Sequence, residues 1–166
     1  KLRLDNKKEF NYNFVKKKIA SIKLAYLKNK SLLSNEVAVS ASEIAKDKNI
    51  RNIVHKFQQK CAYKPPRRFK GSILDGRDII TVQVKDAMFK FYITASLNIR
   101  AKRRFEEYKK LNKKMTYKEV FKSLKNRDKS DKNRKYGPLK KTKDSILINT
   151  TKLSKKACFN KIRAIM

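Results

Sequence analysis

Three short segments of this chain hold side chains whose types and spacing suit the binding of an anionic ligand. In the first, Tyr117, Val120, Phe121 and Leu124 fall at i, i+3, i+4 and i+7, the apolar stripe of an amphipathic helix. Stepping on by three and four from Leu124 reaches Arg127, Asp131 and Arg134, so the face that should enter a core becomes two guanidiniums around a carboxylate. Such a face suits an anionic, hydroxylated ligand. The plainer alternative is a surface i, i+4 salt bridge between Arg127 and Asp131, worth roughly 0.3–0.5 kcal/mol. The second segment is Asp75-Gly76-Arg77-Asp78, which follows the apolar run Ser72-Ile73-Leu74. If that run is a buried strand, Arg77 and Asp78 stand at its carboxyl end, where open α/β sheets bind ligands. A turn closed by an Asx bond and a surface ion pair explains the same residues equally well. The third segment is Arg100, Arg103 and Arg104, whose alternatives are a ligand contact and a solvated helix face.

Composition narrows the chemistry further. Three glycines in 166 residues leave no way to write GxxxxGK[ST] or GxGxxG, so no glycine-rich loop in this chain wraps a triphosphate. His55 is the only histidine and Cys61 and Cys158 lie far apart, which supports neither a zinc site nor a Ser-His-Asp arrangement. Two such distant cysteines fit a reducing, cytoplasmic setting. No apolar run is long enough to cross a membrane, and the lysine-rich start lacks the apolar stretch of a signal peptide.

The formal net charge of +32 weakens any compact state through self-repulsion and invites a nucleic-acid reading. Yet the excess is spread along the whole chain, and 35 of the 46 basic residues are lysines. Lysine is a strongly hydrated point charge, whereas arginine is the planar fork suited to phosphate and carboxylate. Runs such as Lys16-Lys17-Lys18 therefore read as solvated surface, and the arginines are the informative cations. Leu, Ile, Val and Phe make up about a quarter of the chain, above the roughly 20% below which disorder is expected.

The elements that must position these residues follow from periodicity. Residues 1–33 scatter Phe10, Tyr12, Phe14, Ile19, Ile22, Leu24 and Leu27 without a clean period, and are expected to be weakly folded. From Ser34 or Asn35 to about Cys61 the apolar residues recur near helical spacing, giving one long helix or two broken near Asp47, stopped by Pro65 and Pro66. Ser72–Leu74 is expected to be a buried strand. A second strand falls at Phe89–Thr94, followed by a helix opened by Ser96 and running to about Lys110. A helix from about Thr116 to Asp131, a break at Gly137-Pro138, a third strand at Ser145–Asn149 and a helix from about Ser154 complete the chain. Short strands separated by helices predict an α/β fold with a parallel sheet covered on its faces.

Taken in order, these segments resemble the cytidylate (CMP and dCMP) kinase family of P-loop nucleoside monophosphate kinases. The family's DGRDxGTV corresponds to Asp75–Val82, its PDA to the stretch ending Asp86-Ala87, and its TASxxxRAxRR to Thr94–Arg104. Its lid motif RDxRDxxR corresponds to Arg127–Arg134, its APL to Gly137-Pro138-Leu139, and its IDTTxLS to Ile148–Ser154. The likeness covers about residues 37–166. It implies a parallel sheet with flanking helices, truncated at the N-terminus, with residues 1–33 as a remnant of the acceptor-binding insert. Residues 34–166 would be the kinase core, with a helical lid at about 116–140.

The resemblance further implies that the complete enzyme transfers the ATP γ-phosphoryl group to CMP or dCMP, as a cytoplasmic monomer touching nucleic acid only non-specifically. It assigns Ser42, Arg51 and Asp78 to the cytosine, with Asp78 accepting from the exocyclic amine. Arg127 and Asp131 fall to the sugar hydroxyls, Arg77 and Arg134 to the acceptor phosphate, and Arg103 to the neighbourhood of the donor adenine. The family's GPxGSGKGT loop is absent, so the ligands for ATP and Mg²⁺ are expected upstream of Lys1, and the chain alone is expected to bind CMP weakly without turnover. Where the family has glycine, proline, arginine and aspartate, this chain has Ile80, Lys85, Ser130 and Asn149. The alternative is a non-enzymatic basic module that binds nucleic acid through its lysines, with steep salt dependence and no base preference.

Overall fold

The structure, a computed structural model, describes residues 11–23, 25–26 and 29–166. Phe10, Leu24 and Leu27 lie outside the described residues. The chain divides into two compact units, with the boundary between Leu74 and Asp75.

The first unit is helical. Helix α1, Tyr12–Ala20, starts where the Asn11 side chain accepts from the Phe14 amide at 2.9 Å, and it buries Val15. A helix in a stretch expected to be weakly folded is explained by its partner: α1 packs on α3, and tertiary burial of one side outweighs a sequence with no clean period. Helix α2, Asn35–Ile44, is capped by Ser34, and α3, Lys48–Tyr63, by Asp47. The break near Asp47 thus separates two helices, because the carboxylate takes the Ile50 amide at 2.8 Å and also the Tyr12 hydroxyl at 3.1 Å. Pro65 and Pro66 follow the end of α3.

The expected strand at Ser72–Leu74 is not formed, and Ile73 is 96% exposed. An extended segment gains its stability from a hydrogen-bonded neighbour, and among the described residues none pairs with it.

The second unit holds the sheet, made among the described residues of two parallel strands, β1 (Phe91–Thr94) and β2 (Ile146–Asn149). Phe91 pairs with Ile146 and Thr94 with Asn149, and Ile148 is fully buried. Parallel neighbours require a crossover. Here it is made by α4 (Leu97–Lys110) and α5 (Tyr117–Asn133), each opened by a hydroxyl cap, Ser96 and Thr116. The two helices pack together through Ala101, Tyr108 and Val120, all buried, and through the edge-on contact of Phe105 with Tyr117. Helix α6, Lys155–Arg163, is capped by Ser154. The α/β class holds, with a smaller sheet than the three runs predicted. Among the described residues no helix is long and apolar enough to cross a membrane.

Candidate functional site

Asp75–Asp78 opens the second unit, and the turn it makes holds one glycine. A Cβ on Gly76 would lie 2.8 Å from Cγ1 of the buried Ile79, so any larger residue requires that side chain to shift. A single π-helical turn, Ile79–Gln83, follows, closed by the Val84 amide donating to the Ile79 carbonyl at 2.8 Å. The turn carries Gln83 back to Asp78: Nε2 of Gln83 donates to Oδ1 at 3.1 Å, and both side chains are buried. Gln83 was not picked out from sequence, because no local pattern shows that a π turn returns residue i+5 to residue i.

Helix α5 supplies the other half. Its apolar stripe enters the core at Val120, and the continuation of that stripe brings Arg127, Asp131 and Arg134 toward the Asp75–Asp78 turn. Asp131 is buried and receives three guanidiniums. Nε of Arg77 donates to its Oδ2 at 2.9 Å, Arg127 Nε lies 3.8 Å from Oδ2, and Arg134 Nη1 lies 3.5 Å from Oδ1. Arg134 also reaches Asp78, with Nη2 3.7 Å from Oδ2, and donates through Nε to the Gly137 carbonyl. Gly137 sits at φ 58°, and the Leu139 amide donates to the Asp131 carbonyl at 2.8 Å, so the chain leaving α5 folds back over the cluster. Partial burial, with Arg77 close by, pulls the Arg127 guanidinium below its ordinary pKa, and Asp131 opposes the shift. Three cations crowd two carboxylates. The Arg77 and Arg127 side chains keep 39% and 43% of their surface exposed, so both guanidiniums are open to a dissolved anion.

The i, i+4 pair of Arg127 with Asp131 is formed, at 3.8 Å, but it does not stand alone, since Arg77 bonds Asp131 across 54 positions of sequence. Nor are the arginines of α4 a free solvated face. Arg100 forks onto Asp128, and Arg104 pairs with Glu107 at 3.0 Å while lying over the Tyr108 ring. Arg103 donates to the Thr150 hydroxyl and to the carbonyls of Thr150 and Leu153, at 3.2, 2.7 and 3.1 Å. Arg51 belongs to the first unit, where it is buried and donates to the Ala45 carbonyl at 3.2 Å. Ser42 lies on α2, and its side chain is outside the described residues. The Arg100–Asp128 pair was likewise missed from sequence, since nothing local joins positions 28 apart.

This arrangement suits a small ligand bearing a phosphate, hydroxyls and a hydrogen-bond donor. As for a metal, no group of three His, Cys, Asp or Glu stands together among the described residues, and both buried carboxylates face arginines. These residues do not fit a Mg²⁺ site.

A family profile described as cytidylate kinase matches residues 4–166. A cytidylate kinase of Clostridium botulinum (strain Loch Maree) is 39% identical over 127 residues, 76% of this chain and 56% of the relative. One from Bartonella tribocorum is 41% identical over 128 residues, 77% and 58% of the two chains, and one from Caldanaerobacter subterraneus is 38% identical over 133 residues, 80% and 55%. The chain thus spans just over half the length of the relatives it matches. With the Asp75–Asp78 turn, the arginines of α5 and the Thr150–Ser154 loop all inside the matched stretch, this chain belongs to the cytidylate kinase family.

Proposed function

We propose that this chain is the acceptor-binding and lid portion of an enzyme that transfers the γ-phosphoryl group of ATP to CMP or dCMP. The observation that carries the proposal is the convergence of Arg77, Arg127 and Arg134 on Asp131, with Arg134 also facing Asp78. In this reading Arg77 and Arg134 leave the carboxylates to grip the acceptor phosphate by charge-assisted bonds. Arg127 and Asp131 take the sugar hydroxyls, and Asp78, steadied by Gln83, accepts from the amine of cytosine. Uracil would set a carbonyl against that carboxylate, a mismatch of about 1–3 kcal/mol.

The family resemblance alone assigns Ser42 and Arg51 to the base, and Arg103 to the edge of the adenine. Phosphoryl transfer asks little covalent chemistry of a protein, so the residues in hand act by positioning and by neutralising charge on the transferred group. Since these 166 residues contain no glycine-rich phosphate loop, the chain by itself is expected to hold CMP without turning it over.

Calorimetric titration with CMP, dCMP and UMP tests this. Cytidine nucleotides should bind roughly ten- to a hundredfold more tightly than UMP, and Asp78→Asn should erase the difference. Equal binding of UMP, or an Asp78→Asn variant that discriminates unchanged, rejects the proposal.

A second reading has one observation of its own. Lys118, Lys122, Lys125, Lys129 and Lys132 alternate by four and three along α5, all exposed, on the side of the helix away from Asp131. A polyanion such as RNA would find a straight row of cations there. RNA binding that falls steeply with salt and ignores excess CMP would place nucleic acid on the lysines and leave the arginine site to the nucleotide.

A further inference from the structure

Asp128 stands one turn before Asp131 on α5, and it is held by a complete guanidinium fork. Arg100 Nη1 donates to Oδ1 at 2.9 Å and Nη2 to Oδ2 at 2.6 Å. The third edge of the same guanidinium is also committed, with Nε donating at 3.0 Å to the carbonyl of Ala95, the buried residue just past β1. One side chain therefore ties the end of β1, the first turn of α4 and the polar half of α5. The N-terminal half of α5 is held by apolar contacts, Val120 in the core and Tyr117 on Phe105. Such contacts tolerate small rotations, since they lack direction. Past Leu124 the helix face is polar, and the Arg100 fork is the directional link from α4 to that half.

A rotation of α5 moves Arg127, Asp131 and Arg134 together. Asp131 accepts from Arg77 at 2.9 Å, so a shift of about 1 Å breaks that bond and scatters the three cations.

We propose that Arg100 is a positioning residue for the nucleotide site: through its fork on Asp128 and its bond to Ala95 it sets the rotation of α5 that brings Asp131 to Arg77. The proposal deepens the acceptor-binding reading above and rests on it for its consequence, the affinity for CMP. Its structural half stands independently of any ligand.

The test uses the whole 166-residue chain and the variants Arg100→Lys, Arg100→Met and Asp128→Asn. Lysine keeps the charge and most of the stem but cannot make the fork. In the free protein, the Arg77 Nε–H resonance should be protected from exchange in the wild type and should lose that protection in Arg100→Lys and Asp128→Asn. Under conditions where both variants are folded, CMP affinity should fall by about tenfold or more. In a double-mutant cycle the Arg100→Met loss should vanish in the Asp131→Asn background, because Arg100 acts through Asp131.

Unchanged protection of Arg77 Nε–H in all three variants overturns the proposal, as does an additive cycle or a variant whose melting point drops while CMP binds as in the wild type. If the wild type binds no CMP but the Arg77 signal still depends on Arg100, the acceptor reading falls and the positioning role stands.

Discussion

Replacing Asp131 by Asn would leave Arg77, Arg127 and Arg134 converging on a neutral amide, so mutual repulsion of the guanidiniums would no longer be offset. Removing one partner of a fully buried pair costs about 3–5 kcal/mol; here the arginines reach water, so a loss of about 1–3 kcal/mol is expected in urea unfolding. CMP affinity should weaken with it, while staying measurable. Gln83→Leu keeps the volume but withdraws the amide from the buried Asp78 carboxylate. We expect weaker discrimination between CMP and UMP and a cost of about 1.5–3 kcal/mol for the lost hydrogen bond to a charged group, read by titration and unfolding side by side. Gly76→Ala forces a methyl against Ile79 and should lower stability by about 1–3 kcal/mol, with a milder effect if the Ile79 side chain turns aside.

At the level of elements, α5 owes its start to a reciprocal cap. The Thr116 hydroxyl accepts from the Glu119 amide at 3.3 Å, while the Glu119 carboxylate accepts from the Thr116 amide at 2.7 Å and its hydroxyl at 2.8 Å. The backbone bond first, then the hydroxyl bond, hold the Glu119 carboxyl below its ordinary pKa. A depressed folded-state value means that this contribution is fully present above the ordinary carboxylate range and is lost as pH falls through the lowered value. Asp144, held down by the Lys90 ammonium and then by Thr142, carries the same sign. The chain should therefore melt at lower temperature on acidification below about pH 4.5, and Glu119→Gln should flatten that dependence without moving the neutral-pH site. Thr116→Ala should cost about 1 kcal/mol at neutral pH. Melting curves of the three proteins across pH 2.5–7 decide the matter in one experiment, as rough bounds on the window.

For the whole molecule, electrostatic self-repulsion is the dominant liability, since 46 basic residues face 14 acidic ones. Screening lengths shrink from about 30 Å at 0.01 M salt to about 3 Å at 1 M, so added salt should raise the melting temperature, the reverse of what a protein held together by surface ion pairs would show. A fall in melting temperature with salt would mean that the exposed pairs, such as Lys46 with Glu43, outweigh the repulsion. The row of five lysines on α5 places like charges three and four positions apart along one face, and the i, i+4 repulsions there cost a few tenths of a kcal/mol each, roughly. Sulfate should consequently stabilise more than chloride at matched ionic strength.

What was legible in the chain itself was local. Ser34, Asp47, Ser96, Thr116 and Ser154 cap their helices because capping is a bond between a side chain and an amide three positions on. The two strands that formed are β-branched or aromatic runs, and the family motifs are strings of adjacent residues. The helix at Tyr12–Ala20 was not legible because its stability comes from α3, and the strand foreseen at Ser72–Leu74 failed because a strand needs a neighbour that no local propensity supplies. Residue types told which side chains carry the chemistry, Arg77, Asp78, Arg127, Asp131 and Arg134. Only the tertiary structure decided that Arg77 bonds Asp131, that Gln83 steadies Asp78, and that Arg100 forks onto Asp128. Those pairings join distant parts of the chain or close through an uncommon turn, and their energy exists only once packing has brought the partners within about 3 Å of each other.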